Sequence, residues 1–169
     1  ERLLTDNKIF RKRTIGVGTI GAEAAINCGL TGPTLRGSGV NYDVRKTMPY
    51  CGYNKFEFDV PLGNNGDVYD RYLIRMEEMR QSLRIIKQAL DGMPEGPYKV
   101  RAPGIVLPPK EDVLKKMESL IFHFKIITEG FSPPRGAVYQ AIESPKGELG
   151  YYISSDGSNK PHRMRVRPP

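Results

Sequence analysis

The stretch from Asp67 to Leu90 constrains the fold of this chain more than any other. Tyr69, Tyr72, Leu73, Met76, Met79, Leu83, Ile86 and Leu90 recur at spacings of three and four, the signature of a helix with one apolar face. Asp67 stands where an N-cap acceptor belongs, and Gly92 lies just past the end. The other face carries Arg71, Arg75, Glu78 and Lys87. An apolar stripe of this length implies core packing against neighbouring helices, not a cofactor box.

The rest of the chain surrounds that helix with shorter elements. Residues 1–13 read as the end of a helix running into a basic turn. Residues 19–28, TIGAEAAINC, predict a short helix with Thr19 as cap and Gly29 at its C′ position. Residues 29–50, GLTGPTLRGSGVNYDVRKTMPY, are rich in glycine and polar residues and predict an irregular, loop-rich connection. Lys55–Val60, KFEFDV, alternates cleanly and predicts a strand, followed by a turn over Pro61–Gly66. A connector over 92–109 holds five prolines and three glycines. A second helix is predicted over Glu111–Ile127, with Val113, Leu114, Met117, Leu120, Ile121 and Phe124 on one face. His123 sits among them with no ligand partner at i±4, so it reads as a packed or rim histidine. Strands are predicted near 137–143, 148–154 and 162–167. The first two flank Ser144-Pro145-Lys146-Gly147, a tight-turn sequence that puts Glu143 and Lys146 at a hairpin tip. The sum is an α+β fold with long core helices at 67–90 and 111–127 and a small antiparallel sheet including 55–60.

Composition closes off several classes of function. Apolar residues make up 38% and charged residues 27% of the 169, which is neither a disordered nor a membrane-spanning composition. No apolar run approaches the ~20 residues needed to cross a bilayer, so any membrane association comes through partners. The opening ERLLTDNK has no initiator Met, signal peptide or presequence pattern and looks cut from something longer. Cys28 and Cys51 lack CxxC spacing and nearby His ligands, and two thiols cannot furnish a zinc or iron–sulfur site. Arg36-Gly-Ser-Gly39 is no phosphate loop, because no Gly-Lys-Ser/Thr follows; nor does GxGxxG occur, so NADH would bind elsewhere. The net charge of +7 is spread over two clusters, Arg11–Arg13 and Lys160–Arg167. The alternation in Arg163-Met164-Arg165-Val166-Arg167 admits a rival, a basic nucleic-acid-binding module of ribosomal type, although interleaved aromatics are lacking.

Three stretches taken in order go beyond composition: GLTGPTLRGSGVNYDVRKTMPY (29–50), FEFDVPLGNNGDVYDRYLIRMEEMRQSLRII (56–86) and AIESPKGELGYYISSDGSNKPHRMRVRPP (141–169). Together they resemble the hydrogenase-derived quinone-site subunit of respiratory complex I, the 49 kDa or D-type subunit. The resemblance runs from about residue 2 to the last residue. It implies a hydrogenase large-subunit-like fold, of which residues 1–169 would be the middle portion. It implies a core subunit of a proton-translocating NADH:quinone oxidoreductase, with ubiquinone as substrate, no cofactor held by this chain, and an iron–sulfur cluster in a neighbouring subunit. The implied partners are that iron–sulfur subunit and the other peripheral-arm and membrane subunits, with no nucleic acid. The implied location is the matrix side of the mitochondrial inner membrane, or the cytoplasmic side of the bacterial one. The family's quinone-binding His and Tyr would lie upstream of Glu1, so no complete catalytic site is expected here. A true nickel–iron hydrogenase subunit fails on its cysteine requirement.

The same resemblance singles out Lys146. In hydrogenase large subunits the corresponding motif resembles Glu-Ala-Pro-Arg-Gly, with its Arg over the metal centre. Lys146 occupies that Arg position, while Glu143, Pro145 and Gly147 match the surroundings. Exchanging Arg for Lys replaces a bidentate fork with a point charge. Lys146 and Glu143 are therefore candidates for the quinone cavity or its adjacent ionic network, with Glu143, Glu148 or a carboxylate from elsewhere in the complex pairing with Lys146. A plain turn is the alternative. Arg36, Asp43 and Arg45 are candidates for an ion-pair network that rigidifies residues 29–50 or contacts another subunit.

Overall fold

The computed structural model describes residues 3–100 and 102–169. Glu1 and Arg2, at the start of the predicted first helix, and Arg101, in the connector, lie outside the described residues. The chain divides into two compact units: residues 1–93 with 140–150 and 166–169, and residues 94–139 with 151–165.

In the first unit, α5 (Val68–Asp91) is a single helix that starts and stops where the sequence places it. The Asp67 carboxylate accepts the Asp70 amide at 2.8 Å and also the Gly16 amide at 2.8 Å, so the cap doubles as a tie to the preceding segment. The inner face differs from the expected stripe. Asp70 and Ile74 are buried, whereas Leu73, Met79, Leu83, Ile86 and Leu90 are exposed on this chain. Only the first turns of the stripe are covered, where Phe10 of α1 (Lys8–Thr14) packs edge-on against Tyr72 with centroids 5.0 Å apart. The reason lies in α3 (Gly32–Gly37), which meets α5 on the neighbouring face. Gly37 has no side chain there, and the Arg71 stem fills the space.

Several short elements correct the sequence expectations. Arg11, Lys12 and Arg13 form the last turn of α1 instead of a turn beyond it, a position where cations complement the helix dipole. The next helix, α2 (Ala22–Asn27), starts after Gly21, not at Thr19. Ile20 is held outside it: its amide donates to Gly66 O (3.0 Å), and its carbonyl accepts from Ser38 Oγ (2.7 Å). Residues 29–50 are not one irregular loop but contain α3 and α4 (Val44–Thr47). Pro33 pre-organises the first turn of α3, and Asp43 caps α4 by accepting the Arg45 amide.

The strand predicted over 55–60 is absent: Lys55 closes a 3-10 turn (Tyr53–Lys55), the chain leaves it extended at Phe56, and residues 56–60 belong to no sheet. Phe58 is buried while Glu57 and Asp59 are exposed, so the alternation is real. The ladder partner is replaced by side chains of α5: Gln88 accepts from the Glu57 amide (2.9 Å) and donates to its carbonyl (2.7 Å), and Gln81 accepts from the Asp59 amide (3.1 Å).

In the second unit the predicted 111–127 helix is two helices, α6 (Lys110–Lys115) and α7 (Met117–Thr128), separated by an extended Lys116 at φ −124°, ψ 123°. His123 is half-buried on α7. The described part of the connector holds neither helix nor strand. Strands β1 (Gly136–Ser144), β2 (Gly147–Ser155) and β3 (Arg163–Arg167) form a sheet in the order β1-β2-β3, which makes the fold α+β. The tip of the β1–β2 hairpin belongs to the first unit. Among the described residues no helix is long and apolar enough to cross a membrane.

Candidate functional site at the hairpin tip

Arg36, in the last turn of α3, is 1% exposed and gathers the elements around it. Its Nε donates to Glu78 Oε1 on α5 at 2.8 Å, and Nη2 pairs with the same oxygen. Nη2 also donates to Glu143 Oε1 at the end of β1 (2.9 Å), and Nη1 donates to the Tyr42 carbonyl (2.9 Å). Asp43 stands 3.7 Å from Nη1 and is gripped by Arg45 through Nε (3.0 Å) and Nη2 (2.6 Å). Arg36, Asp43 and Arg45 thus meet in one network, and Glu143 joins it from the hairpin. Both strands of the hairpin are also tied down by neutral groups. Tyr42 Oη donates to Glu148 Oε2 (2.8 Å), the Glu148 amide donates to Thr31 Oγ1 (3.0 Å), and the Glu143 amide donates to Tyr50 Oη (2.9 Å).

The charges are not evenly compensated. Three carboxylates (Asp43, Glu78, Glu143) face two guanidiniums (Arg36, Arg45). Asp43 captures Arg45 whole: burial pushes its carboxyl up, but the hydrogen bonds and charge of Arg45 outweigh this and leave it below the ordinary range. Glu143 is less favoured. Burial raises its carboxyl, the Asp43 charge adds to this, and Arg36 only partly offsets them, so it holds its proton above the ordinary range. Tyr42 is pushed up to about 12, first by burial and then by its bond to Glu148.

Lys146 stands apart from this network. It is exposed at the tip, its amide bonds to Ser144 Oγ (3.3 Å), and among the described residues its ammonium forms no ion pair. Glu143 pairs with Arg36 instead of Lys146 because the guanidinium reaches it from inside the fold. Sequence reasoning missed Glu78, Tyr42, Tyr50 and Thr31. Glu78 sat on the charged face of α5, where spacing cannot tell an inward carboxylate from a solvated one. Of the alternating arginines on β3, Arg163 and Arg165 are exposed, while Arg167 is engaged with the carbonyls of Glu148 (3.1 Å) and Gly29 (3.2 Å). Cys28 and Cys51 are exposed and unbridged. Among the described residues no group of three or more His, Cys, Asp or Glu side chains is placed to hold a metal ion.

Residues 1–169 match the family described as "Respiratory-chain NADH dehydrogenase, 49 Kd subunit". The chain belongs to that family. Over its full length it is 59% identical to the D-type subunit of the NADH-quinone oxidoreductase of Geotalea uraniireducens and 57% identical to that of Geobacter metallireducens, covering 43% of each. It is also 57% identical to a D-type subunit of the same enzyme from Koribacter versatilis, covering 42%. The chain therefore spans under half the length of the curated relatives it matches. The hairpin tip, α3 and α5 all lie within the part of the 49 kDa family that this chain represents, and membership displaces the nucleic-acid reading.

Proposed function

We propose that this chain forms part of the frame of the quinone-reduction cavity in an NADH:quinone oxidoreductase and presents Lys146 toward that cavity. The observation that carries the reading is the division of labour at the hairpin tip. Glu143 and Glu148 on either side of the turn are anchored inward, while Lys146 between them is left facing outward. Its position matches the Arg of the hydrogenase motif. A lysine so placed stabilises negative charge on a quinone or orders a carboxylate beside it. This reading takes the fold as hydrogenase large-subunit-like, the chain as holding no cofactor of its own, and the quinone, ubiquinone or a relative, as substrate. Electrons would come from an iron–sulfur subunit alongside, and the membrane would be reached through partner subunits. The named relatives are bacterial, which supports the cytoplasmic side of a bacterial inner membrane over a mitochondrial location.

The test is Lys146→Met in the assembled complex. NADH:quinone turnover is expected to fall by about tenfold or more, corresponding to about 1.4 kcal/mol of lost charge stabilisation. NADH oxidation by artificial acceptors, which take electrons upstream, should be retained, and Lys146→Arg should keep more activity than Met. Wild-type quinone turnover in a fully assembled Met variant would make Lys146 an ordinary turn residue.

A further inference from the structure

Thr31 occupies the N-cap of α3, yet its side chain makes no capping hydrogen bond. Threonine at that position ordinarily accepts an amide of its own helix. Here Oγ1 accepts the Glu148 amide across the chain, at 3.0 Å. Next to it, Gly32 at φ +66° lies so close to the hairpin that a Cβ would collide with Gly147 Cα and stand 2.6 Å from the Lys146 carbonyl. The fit is reciprocal, because a Cβ on Gly147, at φ +139°, would stand 2.6 Å from Thr31 Oγ1. Both glycines are thus required by close approach and by backbone conformation. The only two residues between β1 and β2 are Pro145 and Lys146, so fixing Gly147 and Glu148 fixes the backbone from which the Lys146 side chain projects.

Resting on the reading of Lys146 above, we propose that Thr31 is a positioning residue for quinone reduction: its hydroxyl, borrowed from the cap of α3, sets the direction in which Lys146 is presented. Thr31→Val keeps the shape and removes the hydroxyl that accepts the Glu148 amide. The hairpin tip then loosens without loss of any charge. Small misplacements of a group at a reacting centre cost up to about 10²-fold, and because Thr31 acts one step removed, about a fivefold loss is expected.

The experiment compares Thr31→Val, Thr31→Ser, Lys146→Met and the Thr31→Val/Lys146→Met double variant in the purified, assembled complex. Quinone kcat and KM are measured alongside NADH oxidation by an artificial acceptor. The expected result is that Thr31→Val lowers quinone kcat about fivefold with artificial-acceptor activity unchanged. Thr31→Ser, which keeps the hydroxyl, should restore it. In the Lys146→Met background, Thr31→Val should cost less than about twofold more, because residues acting as a unit are non-additive. A full additional loss in the double variant, or failure of Ser to rescue, overturns the positioning role while leaving Lys146 intact. Unchanged turnover in Lys146→Met alone overturns both. If Thr31→Val does not assemble, Thr31→Ala carries the same comparison without the added methyl.

Discussion

Replacing Arg36 by Met tests whether the first unit depends on this guanidinium. The change keeps much of the aliphatic stem and removes the group to which Glu78, Glu143 and the Tyr42 carbonyl all bond. All three bonds are donated by the ionised guanidinium and are charge-assisted, at about 1.5–3 kcal/mol each. Their sum, about 4.5–9 kcal/mol, is an upper figure, because orphaned carboxylates protonate or admit water. Loss of one partner of a buried pair settles near 3–5 kcal/mol, a large share of the 5–15 kcal/mol typical of a whole domain, about which local opening is measured. Amide exchange in the assembled complex reads this at two sites: the Val44 amide, which donates to Glu143 Oε2, and the Glu143 amide, which donates to Tyr50 Oη. Protection there should drop by about 10² to 10⁴, at about 1.4 kcal/mol per tenfold, and Arg36→Met/Glu143→Gln should recover part of it by neutralising an unpaired charge. A drop of less than tenfold would refute the reasoning. So would a double variant no better than the single, which would show that unpaired charge is not the cost.

Two further outcomes follow from the geometry. Because folding raises the Glu143 carboxyl, the folded state binds more protons than the unfolded one at pH values above the ordinary glutamate value of about 4.3. That contribution to stability is therefore present below this value and lost as pH rises through the raised one. Glu143→Gln should flatten the fall in stability across that window, and identical pH slopes in variant and wild type would count against it. Gln88→Ala removes both bonds that stand in for a ladder at Glu57. At about 1 kcal/mol or less each for exposed bonds, amide exchange at Glu57 should speed up by tenfold or somewhat more, while Asp59, held by Gln81, is little changed.

What could be read from the sequence depended on whether a residue's partner was local. Helix α5 was legible from end to end because its period, Asp67 and Gly92 all act within a turn or two of themselves. Which face of it would be covered was not, since that depends on Gly37 making room for Arg71 across the fold. The alternation of KFEFDV predicts a strand of the sheet, whereas the structure has none there; burial does alternate around Phe58, but period two says nothing about whether amides meet another strand or two glutamines. The break at Lys116 has no glycine or proline to announce it. At the hairpin tip, the resemblance drew attention to Glu143 and Lys146, and the acid–base pairs within 36–45 were close enough in sequence to suggest a network. Glu78 and Thr31 lie 42 and 117 positions from the groups they serve, and nothing in their own neighbourhoods marks them.

That long reach also sets a timetable for biogenesis. Arg36 and Glu143 are separated by 107 positions, so on a ribosome adding about 5–20 residues per second the carboxylate arrives roughly 5–20 s after the guanidinium. During that interval, of the partners described above, Arg36 has the Tyr42 carbonyl, Asp43 and, later, Glu78. Residues 94–139, the earlier-made part of the second unit, whose other part is 151–165, are made before the hairpin tip can return. Compacting that stretch shortens the effective loop whose closure entropy opposes the return. The ionic knot therefore closes late in synthesis, followed in the first unit by the ties of Glu148 to Thr31 and Tyr42 and of Arg167 to Gly29, and a nascent chain stalled before Glu143 carries an unfinished clamp.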